Sequence, residues 1–266
     1  MTLAGGSGSA GIPFSAHAYQ PSHAHTCNAF SLACNMSERA DDLPVKKRKL
    51  ITEFFKPSEN PLSYFPIGYN LTQISRKNLE LDYGRIFPST IANLFFSQLE
   101  REIKYLDGEF AKIKVMNKWF PLPRQHIAFG DTGLTYSFNG LCIPALKWTS
   151  LLSHLKTCVE IVTGEHFNFL LVNRYASGRQ TVGLHSDNER DLDPSKPIVS
   201  LSFGAERKFI FKPTRFDGTP LELNLENGSL LSMKPPTNQF YLHSLPRQLK
   251  VDSPRVSLTF RCIINK

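Results

Sequence analysis

The chain has 266 residues, 41% of them hydrophobic with 20 Phe, a formal net charge of +8 and a pI near 9.3. That is apolar material for one sizeable core, and the basic excess points to an acidic partner, nucleic acid first. Cysteines at 27, 34, 142, 158 and 262 are odd in number and lack CxxC spacing, which argues for free thiols in a reducing compartment. No apolar run reaches bilayer length, and residues 1–37 contain no Lys or Arg. Neither a membrane anchor nor a secretory or transit peptide is expected.

Residues 1–60 read as a disordered tail, rich in Gly, Ala, Ser and His at its start and without periodicity. His17, His23, His25 and Cys27 lack finger spacing and read as part of a solvated tail. Lys46-Lys-Arg-Lys49 is a basic run compatible with nuclear import. In Leu50-Ile-Thr-Glu-Phe-Phe55, one helical turn brings Ile51, Phe54 and Phe55 together as an apolar plug. It resembles the peptide that docks on the replication sliding clamp (PCNA), although Arg48 stands where such peptides usually open with Gln. Residues 61–85 form a transition segment containing Pro61 and Pro66.

The folded domain is expected over 86–266. Pro88 to Ile103 has Ile91, Leu94, Phe95 and Leu99 on one helical face, with Ser89 or Thr90 as cap. A second helix is expected from about Pro144 to Val162, burying Leu146, Leu151, Leu152, Leu155 and Val159. Between them, Lys112 to Trp119 alternates basic and apolar residues as a strand. After residue 164 the period becomes two, with strands expected at 166–175, 181–186, 197–203, 207–212, 221–225, 228–233, 239–243 and 255–264. Two flanking helices followed by this run of short strands predict an α+β class: a double-stranded β-helix, or jelly roll.

The chemistry concentrates in that second half. His185 and Asp187 are an i, i+2 pair, so on an extended segment both leave the same face. With His243, they provide two imidazoles and a carboxylate, a set that binds Fe(II) on one triangular face and leaves other positions open. Structural zinc would want four protein ligands, and no nearby Cys completes them. His126, His154 and His166 read as ordinary structural histidines. In Pro254-Arg-Val-Ser-Leu-Thr-Phe-Arg-Cys262, Arg255, Ser257, Thr259 and Arg261 share one face while Val256, Leu258, Phe260 and Cys262 share the other. A buried guanidinium needs a partner, and its fork suits a carboxylate, so an anionic guest is expected beside the metal.

The segments Phe167-Asn-Phe-Leu-Leu-Val-Asn173-Arg-Tyr175, His185-Ser-Asp187-Asn-Glu189, His243-Ser-Leu-Pro246 and Pro254 to Arg261 together resemble the AlkB family of Fe(II)- and 2-oxoglutarate-dependent dioxygenases. Gly130-Asp-Thr-Gly-Leu-Thr-Tyr136-Ser-Phe138 is similar to its DNA-repair members of the AlkB homologue 2 type. The resemblance covers about two thirds of the chain, from Ile86 onward. It implies Fe(II) on His185, Asp187 and His243, and 2-oxoglutarate held by Asn173, Tyr175, Arg255, Thr259 and Arg261. It also implies oxidative removal of the methyl group from N1-methyladenine and N3-methylcytosine, releasing formaldehyde, succinate and CO2.

Such cationic bases suit a pocket with aromatic rings and a carboxylate. Tyr136, Phe138 and Glu189 match the family's base-holding positions, Ser137 and Asn188 are expected beside them on the substrate, and the base must leave the helical stack to reach them. Val115, Met116 and Asn117 align with the wedge that fills the resulting gap. Here Met116 replaces an aromatic ring and Asn117 a glycine. Arg124, Arg247 and Lys250 are expected on phosphates. Ser186 and Asn188 replace charged residues beside the iron. The expected partner is double-stranded DNA, with single strands as the alternative, and the protein is expected to be monomeric and nuclear. Two other readings stand: a demethylase of single strands or RNA like the third AlkB homologue type, and a clamp-bound adaptor with a vestigial iron site.

Overall fold

In the computed structural model of the chain, residues 60–264 are described apart from 116, 139–140, 188–190 and 215–217, and for 109, 113–115, 136–138 and 141–143 the backbone alone. The basic run at 46–49, the expected clamp anchors Ile51, Phe54 and Phe55, and Met116, Asn188 and Glu189 lie outside the described residues.

The chain forms β1 (Thr72–Arg76), β2 (Leu79–Arg85), α1 (Ser89–Glu102), β3 (Lys112–Val115), β4 (Lys118–Pro121), β5 (Gln125–Gly130), β6 (Thr135–Phe138), β7 (Leu141–Pro144) and α2 (Ser150–Thr163). There follow β8 (Phe169–Tyr175), β9 (Val182–His185), β10 (Ile198–Gly204), β11 (Arg207–Pro213), β12 (Leu221–Leu225), β13 (Ser229–Lys234), a single turn α3 (Thr237–Phe240), β14 (Tyr241–Leu245) and β15 (Arg255–Arg261). One sheet has the order β1-β2-β13-β10-β15-β8-β5, a second β12-β11-β14-β9. The hairpins β3-β4 and β6-β7 stand apart from both. This is the jelly roll expected from the alternating second half: two antiparallel sheets, with helices packed outside the larger one.

Alternation on β15 assigns the layers. Val256, Leu258 and Phe260 join Phe95 and Leu99 of α1 and Leu151, Leu155 and Val159 of α2 in the outer core. Between the sheets a second cluster holds Leu81, Leu231, Met233, Phe211, Leu225 and Tyr241. Fully buried Phe95 meets Phe87 and Phe203 edge-on, so Phe95→Ala would cost roughly 3–5 kcal/mol.

Several local expectations are corrected. Pro88, not Ser89 or Thr90, occupies the N-cap of α1, without a side-chain cap bond, and Leu94 is exposed. The second helix starts at Ser150, capped by Thr149, whose hydroxyl accepts from the Leu152 amide. The residues before it are held extended: Leu146 exchanges backbone bonds with Ala128 and Gly130, and its side chain is exposed. Lys112–Trp119 is not one strand but a hairpin, with Val115 paired to Lys118. The segment 239–243 begins as the turn of α3. The transition segment contains β1 and β2, and β2 pairs with β13 in the larger sheet.

Candidate active site

His185 ends β9 and is paired in register with His243 on β14, which brings the two rings to a centroid separation of 4.3 Å. Asp187 follows β9 by two residues. Its Oδ1 lies 3.5 Å from His185 Nε2 and 3.7 Å from His243 Nε2. One ligand atom from each of the three residues lies within 4.8 Å of the others. Bonds of about 2.1 Å at right angles put neighbouring donors roughly 3 Å apart, so a small inward movement closes this set on one ion. The Nδ1 atom of His185 bonds the Gly183 carbonyl at 2.9 Å, which directs Nε2 to the common centre.

Electrostatics support that role. Burial opposes ionisation of Asp187, but Arg261 and the two histidines outweigh it and hold the carboxyl well below the usual carboxylate range. Arg261 Nη2 donates to Asp187 Oδ2 at 2.5 Å. Burial pulls His243 down to about 4 against the attraction of Asp187, so its imidazole is neutral, as a ligand must be. At His185 burial also lowers the pKa, but the hydrogen bond and charge of Asp187 prevail and raise it.

A clasp absent from the sequence reading holds the carboxylate's backbone. Asn238, in α3, accepts from the Asp187 amide at 3.0 Å and donates to the Asp187 carbonyl. Its signal in the sequence is the run Pro235-Pro236-Thr237-Asn238, whose residue types mark a turn rather than the strand expected there.

Beside the three ligands, Asn173 and Tyr175 from β8 and Arg255, Ser257, Thr259 and Arg261 from β15 line one cavity together with His185, Asp187 and His243. Tyr175 is the register partner of Arg255, and Asn173 of Ser257. Arg255 is buried, yet among the described residues its Nη2 finds only the hydroxyls of Ser202 and Ser257, at 2.9 and 3.3 Å, and its Nε has no partner. Burial lowers its pKa to about 10, still charged at neutral pH, with Tyr175 opposing the shift. A dicarboxylate whose distal end meets Arg255 and whose keto-acid end meets the metal would satisfy both the orphaned donor and the charge. The residues present therefore fit Fe(II) and 2-oxoglutarate.

Arg124, expected on phosphate, is half-buried and lines the cavity, where its Nε donates to Asn173 Oδ1 at 2.8 Å. Asn173 keeps its amide N–H groups for a guest. Arg247 and Lys250 are exposed, as phosphate contacts would be. The backbones of Tyr136, Ser137 and Phe138 form β6, and Val115 ends β3. Asn117 has φ 64, the left-handed conformation that a glycine adopts freely and asparagine tolerates better than most residues. The Asn-for-Gly departure is thus compatible with the backbone at this position.

The 2OG-Fe(II) oxygenase superfamily matches residues 87–261. Over 195 residues the chain is 44% identical to the DNA oxidative demethylase ALKBH2 of Mus musculus, covering 71% of this chain and 82% of that protein. Over 204 residues it is 41% identical to the ALKBH2 of Homo sapiens, covering 74% and 78%. Over 180 residues it is 32% identical to the alpha-ketoglutarate-dependent dioxygenase alkB homolog 3 of Bos taurus, covering 65% and 62%. A match that runs from α1 through β15 and contains the whole cavity places the chain in the 2OG-Fe(II) oxygenase superfamily, in its AlkB branch, as an Fe(II)- and 2-oxoglutarate-dependent dioxygenase.

Proposed function

We propose that this dioxygenase repairs DNA by oxidative demethylation of N1-methyladenine and N3-methylcytosine. The observation that carries the reading is the convergence of His185, Asp187 and His243 beside a buried, anion-seeking Arg255, in a chain 44% identical to a DNA oxidative demethylase. With O2, bound Fe(II) and 2-oxoglutarate supply an oxidant that hydroxylates the N-methyl carbon; 2-oxoglutarate leaves as succinate and CO2. The resulting hemiaminal breaks its C–N bond to give formaldehyde and the normal base.

Each protein group has a stated task in this reading. His185, Asp187 and His243 hold the metal, and Arg261 keeps Asp187 ionised. Arg255, Tyr175, Asn173 and Thr259 orient the dicarboxylate. Tyr136, Ser137, Phe138, Asn188 and Glu189 hold the extruded cationic base, favouring it over a neutral one by cation–π and Coulomb attraction. Val115, Met116 and Asn117 supply the wedge that enters the gap. Arg247 and Lys250 grip phosphates, and the substrate is the duplex. The tail 1–60 serves delivery, with Lys46–Lys49 for nuclear import and Ile51, Phe54 and Phe55 for the sliding clamp. Residues 86–266, with β1 and β2 from 61–85 completing the larger sheet, form the catalytic domain of a monomer.

Formaldehyde release from an oligonucleotide containing N3-methylcytosine, offered as duplex and as single strand, tests the reaction and the strand preference. Release by the wild type and its loss in Asp187→Ala are expected; equal signals from both proteins would remove the enzymatic reading. A higher rate on the single strand would replace the duplex by the alternative. For the tail, a peptide of residues 44–58 should bind the clamp and lose binding when Phe54 and Phe55 become Ala.

A further inference from the structure

Arg207, at the start of β11, is 1% exposed and has no carboxylate partner among the described residues. Its guanidinium donates to Gln248 Oε1 at 3.2 Å, to the carbonyls of Ser177 at 3.2 Å and Gln180 at 2.9 Å, and to the Pro246 carbonyl at 2.8 Å. It thereby joins β11 to the loop after β8 and to the segment after β14. Those two segments also bond directly, Gln248 N to Gly178 O at 2.9 Å and Gly178 N to Val251 O at 2.7 Å. Their approach is so close that a Cβ on Gly178 would lie 1.9 Å from the Gln248 carbonyl oxygen.

The same guanidinium faces the cavity indirectly. Its Cζ is 5.8 Å from the centroid of the Tyr175 ring, and Arg255 Cζ is 5.6 Å from that centroid. Tyr175 thus has two buried guanidiniums against its ring, both bonded only to neutral oxygens. A purely structural tie among carbonyls needs donors but no net charge. A second uncompensated cation beside Arg255 makes physical sense where the guest brings its own negative charge.

We propose that Arg207 is a positioning residue for the co-substrate, which acts through Tyr175 and adds its charge to that of Arg255 so that the cavity selects a dicarboxylate over a monocarboxylate. The inference rests on the Fe(II)/2-oxoglutarate reading of the site. Arg207 does not touch the co-substrate: it fixes the Tyr175 ring and supplies field.

Binding, rather than turnover, tests it. The full chain loaded with Mn(II) is titrated calorimetrically with 2-oxoglutarate and with 2-oxopentanoate, which keeps the keto-acid chelate but lacks the distal carboxylate. Two variants are compared with the wild type. Arg207→Gln removes the charge. Gln248→Glu leaves Arg207 and its hydrogen-bond geometry in place but puts a carboxylate against it, cancelling the charge within the fold. Each should weaken 2-oxoglutarate by about tenfold and leave 2-oxopentanoate within about twofold of wild type. Equal weakening of both acids, or of neither, in Gln248→Glu would reduce Arg207 to a structural tie and overturn the proposal. Should Arg207→Gln fail to fold by circular dichroism, the isosteric Gln248→Glu decides alone. If the wild type binds no 2-oxoglutarate, the reading of the site itself falls, an outcome distinct from a lost selectivity.

Discussion

Asp187 is held at three points: its Oδ2 by Arg261, its amide and its carbonyl by Asn238. A metal ligand two residues beyond a strand end would otherwise sample several backbone conformations, each moving the carboxylate relative to the imidazoles. Removing Asn238 leaves all three ligands in place but loosens the strongest of them electrostatically. Asn238→Ala should therefore weaken metal affinity by about 10–100-fold with the fold intact. Co(II) titration followed by visible absorption measures this directly, and an unchanged affinity would reject the clasp as a device for the metal. The ligands themselves were legible, because side-chain spacing on strands is a sequence property: His185 and Asp187 two apart, Arg255 and Arg261 on one face. Asn238 was not, because an amide that bonds backbone groups 51 residues away leaves no periodic trace. Arg207 escaped for a related reason: its acceptors are mostly carbonyls, which every residue has.

Among the elements, the strands of the second half were readable to within a few residues, since both inner faces alternate against apolar cores. The edge hairpin β1-β2 was not. Its first strand is exposed except for half-buried Ile74, so no alternation marks it, and the place of β2 beside β13 is a tertiary choice. The start of α2 reads too early because Pro144 to Trp148 is apolar enough for a helix, whereas Ala145 bonds to the Leu134 carbonyl and Leu146 to Ala128 and Gly130 of β5. The β3-β4 hairpin reads as one strand because no glycine between Lys112 and Trp119 marks a turn. Asn117 at φ 64 makes a prediction at this scale. A β-branched residue there would oppose the left-handed turn by about 1–2 kcal/mol, enough to unfix the hairpin tip without touching the sheets. Asn117→Val should lose affinity for duplex DNA in a fluorescence-anisotropy titration while binding 2-oxoglutarate as the wild type does. Parallel loss of both would mean that the hairpin is not an independent grip.

At the scale of the whole molecule, the two sheets close on more buried positive charge than negative. Arg207, Arg255 and Arg261 are all under 5% exposed, and Asp187 is the acid among the buried polar residues described. A bound dianion corrects this imbalance, so 2-oxoglutarate should stabilise the fold as a whole. At a hundred times its dissociation constant the gain is about 2.7 kcal/mol, or roughly 5–11 °C in Tm for a domain of this size. Differential scanning fluorimetry of the Mn(II)-loaded protein checks it, and no shift at saturation would contradict the cavity's assignment. Acid acts on the fold through a different group. His126 on β5 is 4% exposed, neither ring nitrogen has a hydrogen-bond partner among the described residues, and burial, aided by Arg124, depresses its pKa to about 4. The unfolded chain protonates this imidazole near 6.5, the folded chain only near 4, so between those values unfolding takes up a proton. Stability is therefore intact above pH 6.5, declines as pH falls, and has lost about 3 kcal/mol from this group once pH reaches 4. His126→Leu keeps a similar volume and abandons no hydrogen bond. The variant should match or exceed the wild type at pH 7.5 and surpass it by about 2 kcal/mol more at pH 5 in urea unfolding. His243, also near 4, adds to the acid slope of the metal-free protein in both chains alike, so the difference between them isolates His126. If the two denaturation midpoints kept a constant separation from pH 7.5 to 5, the buried imidazole would not be the source of acid sensitivity.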